Sequence, residues 1–172
     1  MPKYFSMNKI LETERLILST FSLNDAPFVL KLVNTPSWLQ FIGDRNIHSI
    51  GDAEQYLSQG PIKSYAENGF GLSLVILKDE NIPIGMCGLV NRDTLKDIDI
   101  GFALMPQYTD KGYAYEIASA TMEYAKSVLK MEKIVAITDA NNTSSIKLLN
   151  KLGLHYEKMI SLNTSELVQL YS

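Results

Sequence analysis

The chain is short of most features that staple a protein or address it. It has one cysteine, Cys87, in 172 residues, which excludes an internal disulfide framework and a cysteine-rich zinc site. Two histidines, His48 and His155, are too few for a histidine-rich metal site, and neither is given a role. No apolar run approaches the ~18 residues that a membrane helix needs. Residues 1–18 lack the long apolar stretch of a secretory signal. A strong charge of either sign is missing too: 16 Lys and Arg against 19 Asp and Glu leave a net charge of −3. A nucleic-acid footprint is normally a basic patch, so that partner is set aside. What remains is a soluble cytoplasmic domain with no metal, no nucleic acid and no membrane partner.

What is present is ordinary for such a domain, at 46% hydrophobic and 20% charged residues. The length suits one domain, expected to span 1–172. A single core of that size buries on the order of 70% of the unfolded surface.

Residues 11–21 (LETERLILSTF) predict a first strand. Asn24 opens a helix, with Asp25 in its first turn and Pro27 where proline is tolerated. Residues 51–68 predict a second helix, capped by Ser49 and interrupted at Gly60 and Pro61, with Asp52 and Glu54 at its positive end. Residues 70–78, 82–91 and 97–104 predict three short strands joined by polar turns, hence an antiparallel meander. Beyond Pro106, Ala114, Ile117, Ala118, Thr121, Met122 and Ala125 follow helical spacing, so residues 112–130 form an amphipathic helix. The apolar run 133–138 predicts a central strand parallel to its neighbour. A helix over 142–152, stopped by Gly153, and strands over 154–160 and 166–171 close the chain. This order predicts an α/β (α+β) fold: a mixed, mostly antiparallel central sheet of about seven strands with helices on both faces.

The segment 104–114 (LMPQYTDKGYA) runs from a strand end through a loop into a long helix. Helix N-termini present unpaired N–H groups and a partial positive charge, and so suit phosphates. Gly112 and Ala114 leave room for close approach, and Lys111 adds charge. Asn142 stands where the apolar strand ends and the next helix begins. It can cap that helix or bond a ligand in the crevice at the strand ends.

Taken in order, three stretches resemble the GCN5-related N-acetyltransferase (GNAT) superfamily, and within it the RimJ/RimL branch. Thr13, Glu14, Arg15, Leu16, Ile17 and Leu18 are similar to that branch's opening strand. Ile100, Gly101, Phe102, Ala103 and Leu104, with Pro106, Lys111, Gly112, Tyr113, Ala114 and Glu116, resemble its acetyl-CoA loop. Asn142 and Ser145, with Lys151, Leu152, Gly153 and Leu154, resemble its last helix and the strand after it.

The resemblance implies an acetyl-CoA-dependent N-acetyltransferase whose acceptor is a small-molecule or peptide amine, and a monomer or homodimer. By position, the loop Thr109, Asp110, Lys111, Gly112, Tyr113 and Ala114 would cradle the CoA pyrophosphate. The strand bearing Phe102 and Leu104 would splay from its parallel neighbour and pair with the pantetheine arm. A backbone N–H near Leu104 would polarise the acetyl carbonyl. Asn142 and Ser145 would contact the cofactor. Asp99 is the candidate base, with Asp97 its rival on the expected shared strand face. Ser145 is the candidate acid, because Leu149 stands where many relatives have a tyrosine.

Thr109 and Asp110 depart from the family pattern, which begins this loop with Arg or Gln and then Gly. With Leu149, they keep open a second reading, a non-catalytic acyl-CoA-binding sensor. Transfer of a longer acyl group also stays open. Trp38, Phe41 and Tyr108 are candidate acceptor-pocket residues. Glu14 and Arg15 are expected to pair structurally, and Cys87, in mid-strand, to be buried and inert.

Overall fold

The computed structural model describes residues 8–172. The first seven residues of the expected 1–172 domain lie outside the described residues.

The opening run forms two strands rather than one. β1 (Lys9–Glu12) and β2 (Leu16–Ser19) are antiparallel. Thr13 closes the turn between them: its N–H donates to the Leu16 carbonyl at 2.9 Å, and its Oγ1 accepts from Leu16 N–H at 3.0 Å. The sheet therefore has eight strands, where about seven were expected.

The first helix is started by Ser22 and not by Asn24. Asp25 Oδ2 accepts from Ser22 N–H at 2.8 Å, and a 3-10 turn (Leu23–Asp25) leads into α1 (Ala26–Leu32). A short helix, α2 (Pro36–Phe41), follows with its proline in the first turn, where a missing N–H costs nothing. Ser49 caps α3 (Ile50–Leu57), accepting from Asp52 N–H at 3.1 Å. A π-helical turn (Ser58–Ile62) holds Pro61 and joins α3 to α4 (Lys63–Asn68). Wider turns of this kind absorb a residue that cannot donate to the helical ladder.

β3 (Leu72–Leu77), β4 (Ile82–Val90) and β5 (Ile98–Leu104) form the expected antiparallel meander. Then follow α5 (Tyr113–Ser127), β6 (Ile134–Thr138), α6 (Thr143–Lys151), β7 (Tyr156–Ser161) and β8 (Leu167–Tyr171). The strand order is β1-β2-β3-β4-β5-β6-β8-β7. Every adjacent pair is antiparallel except β5 and β6.

That parallel pair is brief: Ile98 faces Ile134 and Asp99 faces Val135. β5 stays with β4 as far as Leu104, opposite Gly85. Past Asp99, then, β5 leaves β6 and a wedge opens within the sheet.

Strand alternation divides the core between the two faces. Leu18, Val75, Cys87, Leu89 and Ile100 pack with Ile117, Ala118 and Leu149 on the α5 and α6 side. Ile17, Leu74 and Met86 pack with Val29, Trp38, Ala53 and Leu57 on the α1 to α3 side. Ala103 joins the second cluster and Phe102 the first, so residues 99, 101 and 103 face α1 to α4. Among the described residues, no helix is long and apolar enough to cross a membrane.

Two glycines of β4 permit close backbone approach. A Cβ at Gly88 would lie 2.2 Å from the Gly71 carbonyl oxygen, and one at Gly85 would lie 2.3 Å from that of Ala103. Neither neighbour is a flexible side-chain end, so the sheet itself would have to shift. Gly88→Ala is expected to lower stability by about 2 kcal/mol or more. Gly60→Ala, with nothing within 4 Å of the added Cβ, should leave it within about 0.5 kcal/mol. Urea unfolding midpoints of the two variants check this contrast.

Candidate active site

β5 ends in a 3-10 turn (Pro106–Tyr108), and the chain then reverses into α5. Asp110 and Gly112 both take left-handed conformations, with φ of +59° and +82°. Asp is among the few side chains that tolerate this region, which accounts for its standing where the family pattern has glycine. Gly112 is the N-cap and brings no side chain to the helix end. The first helical bond runs from Glu116 N–H to the Gly112 carbonyl at 3.1 Å. The amides of residues 113–115 thus have no helical acceptor. Thr109, Asp110 and Lys111 are exposed around them. An open helix start of this kind is suited to an anion.

This helix start is tied to β2 by Arg15. Its Nε bonds Glu116 Oε2 at 2.7 Å, and its Nη1 donates to the Lys111 carbonyl at 3.1 Å. The guanidinium lies 4.4 Å from the Tyr113 ring centroid. Glu116 Oε1 accepts from Thr13 Oγ1 at 2.6 Å and from Arg15 N–H at 2.8 Å. Burial pushes the Glu116 carboxyl up, but these hydrogen bonds and the Arg15 charge hold it below the ordinary glutamate value. Arg15 therefore pairs with Glu116, and not with Glu14 as expected.

A cavity of about 680 Å³ fills the wedge and the space under α2 to α4. Phe102, Ala103, Ile137 and Thr138 line it from the parted strands, and Asn142 and Ser145 line it from α6. Asn142 Oδ1 caps α6 by accepting from Ser145 N–H at 3.2 Å. Its amide nitrogen donates to no protein atom among the described residues, so capping and ligand contact are compatible.

Asp99 is only 1% exposed and lies on the cavity wall. Arg92, between β4 and β5, donates from Nε to Asp99 Oδ1 at 3.0 Å. Burial pushes the Asp99 carboxyl above the ordinary aspartate value, and the Arg92 charge and hydrogen bond recover only part of that. Asp99 is not a solvated edge carboxylate, and a buried carboxyl on a cavity is a better proton acceptor than a free one. Asp97 lies ahead of β5 rather than on its face, 3.6 Å from Lys133 Nζ and off the cavity wall.

Trp38 and Phe41 line the cavity as expected, but Tyr108 does not; it packs against the α5 side of the core. Trp38 Nε1 is buried without an acceptor among the described residues, at a cost of about 1–3 kcal/mol. Leu149 is buried in the core under α5 and α6 and offers no proton. Arg92, Tyr56 and Arg45 also line the cavity and carried no local signal in the sequence. Only the rule that a buried carboxylate needs a cation pointed to a partner for Asp99.

Residues 15–155 match the acetyltransferase (GNAT) domain family. YkkB of Bacillus subtilis is 33% identical over 98 residues, which make up 55% of this chain and 57% of that protein. The N-acetyltransferase YnaD of the same organism is 26% identical over 86% of this chain and 83% of its own. The fold is shared with RimL, a ribosomal-protein acetyltransferase solved with coenzyme A, at a TM-score of 0.81 and 16% identity over 95% and 96% of the two chains.

Cys87 touches none of the cavity. It is fully buried, and burial pushes its thiol up to about 12 despite the Thr121 hydroxyl 3.5 Å away. At about pH 8.5 an unperturbed thiol is half ionised, yet the folded protein should not react with Ellman's reagent. One equivalent should react once denaturant is added.

Proposed function

Since the chain belongs to the GNAT acetyltransferase family, we propose that it moves an acetyl group from acetyl-CoA to a primary amine of a protein N-terminus, an amino acid or a small amine. The amine attacks directly, with both substrates bound. The observation that carries this reading is the continuity of the site. Free amides at the start of α5 follow along the chain from β5, whose parting from β6 opens onto a cavity that holds a buried carboxylate.

Acetyl-CoA, when bound, supplies an acetyl group activated as a thioester. The residues present fit it. The amides of Gly112, Tyr113 and Ala114 hold the pyrophosphate, and exposed Lys111 adds charge. Thr109 and Asp110 shape the loop through their backbone. Arg15 braces the cradle and offsets the Glu116 carboxylate, which would otherwise repel a phosphate. The exposed backbone of β5 from Phe102 to Leu104 offers pairing groups to the pantetheine arm, and a backbone N–H near Leu104 supports the carbonyl oxygen. Asn142 contributes its side-chain amide.

Asp99 takes the proton from the attacking amine. Its raised carboxyl suits an α-amine near ~7.7–8.0 better than a lysine-like amine near ~10.4. Ser145, on the cavity wall, donates a proton to the departing thiolate sulfur. Proximity supplies much of the remaining acceleration. The same reading places residues 1–172 in one RimJ/RimL-like domain, working in the cytoplasm as a monomer or homodimer.

The test is release of free CoA thiol from acetyl-CoA with a panel of amines; buried Cys87 adds no background. Release with at least one amine supports the reading. CoA binding without release from any amine would leave the non-catalytic sensor. Asp99 must be ionised to accept a proton, and its value is raised. The acid limb of kcat/KM should therefore lie above the ordinary aspartate range near ~3.9. Asp99→Asn should lower kcat/KM about 100-fold and abolish that limb.

A further inference from the structure

The cavity wall facing α1 to α4 carries two arginines, Arg45 and Arg92, whose guanidiniums are not fully taken up by protein acceptors. Building on the acetyltransferase reading, we propose that this wall is an anion subsite, where Arg45 and Arg92 grip a carboxylate or phosphate carried by the acceptor amine.

Arg45, on the segment between α2 and α3, lines the cavity and has no carboxylate partner among the described residues. Arg92 commits only Nε to Asp99, which leaves its outer nitrogens without a protein acceptor. Arg45, Arg92 and Tyr56 all line this one cavity; burial pushes the Tyr56 hydroxyl up while the charges of Arg45 and Arg92 pull it down. The Tyr56 hydroxyl itself has no hydrogen-bond partner among the described residues. Trp38 lines the same wall and is 6% exposed, its indole nitrogen itself being buried. Two guanidiniums with free outer nitrogens and an unpartnered tyrosine hydroxyl on one cavity are complementary to a planar or tetrahedral oxyanion, which accepts from such forks in pairs.

Five carboxylates share the cavity, and two of them are held by cations. Asp99 is held by Arg92, and Glu67 lies 3.8 Å from Lys63. Asp93 is exposed on its loop. Asp139 and Glu166 belong to the segments beyond β5, where each accepts from an asparagine N–H, Asn141 and Asn163 respectively.

The geometry also limits the ligand. Arg92 is in direct contact with Asp99, so the amine served by Asp99 and the anion held by Arg92 stand only a few bonds apart. An α-amino acid or a 2-aminoalkyl phosphate meets that condition. The free α-amine of a long polypeptide, whose own carboxyl is an amide, does not. The faces of Trp38 and Phe41 suit an apolar substituent.

Trp38 is the one tryptophan in the chain, so indole emission reports this wall whether or not turnover occurs. The probes are two matched pairs, phenylalanine with phenethylamine and O-phosphoethanolamine with ethanolamine, titrated into the full chain with and without CoA. In at least one pair the acidic member should half-saturate the change at a concentration at least about tenfold lower than its neutral partner. Which pair shows the gap identifies carboxylate or phosphate. Arg45→Gln, at an exposed position, should fold with an unchanged thermal midpoint and close most of the gap. Equal or reversed half-saturation in both pairs, or no saturable change with any probe, overturns the subsite. Thiol release with the same four amines separates the two claims. Release as fast from the neutral members sinks the subsite and keeps the acetyltransferase. A saturable acidic preference with no release from any amine keeps the subsite and sinks the acetyltransferase.

Discussion

The parting of β5 from β6 is the constraint on which the rest of this molecule turns. Two strands in the middle of an eight-stranded sheet pair over only two positions, at Ile98–Ile134 and Asp99–Val135. Backbone groups beyond that point would normally need partners. The opening is held by its flanks: β4 pairs with β5 as far as Leu104, and β8 pairs with β6 at Ala136, Ile137 and Thr138. Gly85 and Gly88 let β4 lie tightly between its neighbours. The sheet thus keeps its cohesion on both sides while leaving peptide groups within reach of a ligand with amide bonds of its own.

Charge is handled by the same economy. A chain with net charge −3 still gathers donors locally in two places. At α5 they are backbone amides, set by left-handed Asp110 and Gly112 and braced from β2 by Arg15. On the cavity lining they are side chains, Arg45, Arg92 and Tyr56. Asp99 lines the cavity in contact with Arg92, and its proton affinity follows from burial that the Arg92 charge only partly offsets. A buried ion pair of this sort contributes little to stability. Its effect is to fix where a proton can be accepted and which groups can stand beside it.

Much of this was legible in the residues. The meander over 70–104, the helices after Gly112 and Asn142, and the parallel strand near 134–138 followed from periodicity and caps, because those signals are local and survived packing. The open start of α5 was legible too, since a glycine at a helix start is a local fact. Misreadings came where neighbours in the chain competed. Thr13 turned one strand into two, and Ser22 displaced Asn24 as the helix start, because each found a closer backbone partner. Asp97 and Asp99 looked equivalent at a spacing of two, but β5 begins only at Ile98, so one stayed on a loop with Lys133 and the other was buried.

The sequence by itself determined the order of elements, the amphipathic faces that build two cores, and the glycine start of α5. Only the tertiary structure decided which carboxylate is buried, that Arg15 finds Glu116 about a hundred residues away, and that Arg45, Tyr56 and Arg92 meet on one wall. The physical reason is range. Helix and strand periodicity are written within a few residues, whereas desolvation and ion pairing depend on surfaces brought together from distant segments, and those exist only once the sheet has formed and opened.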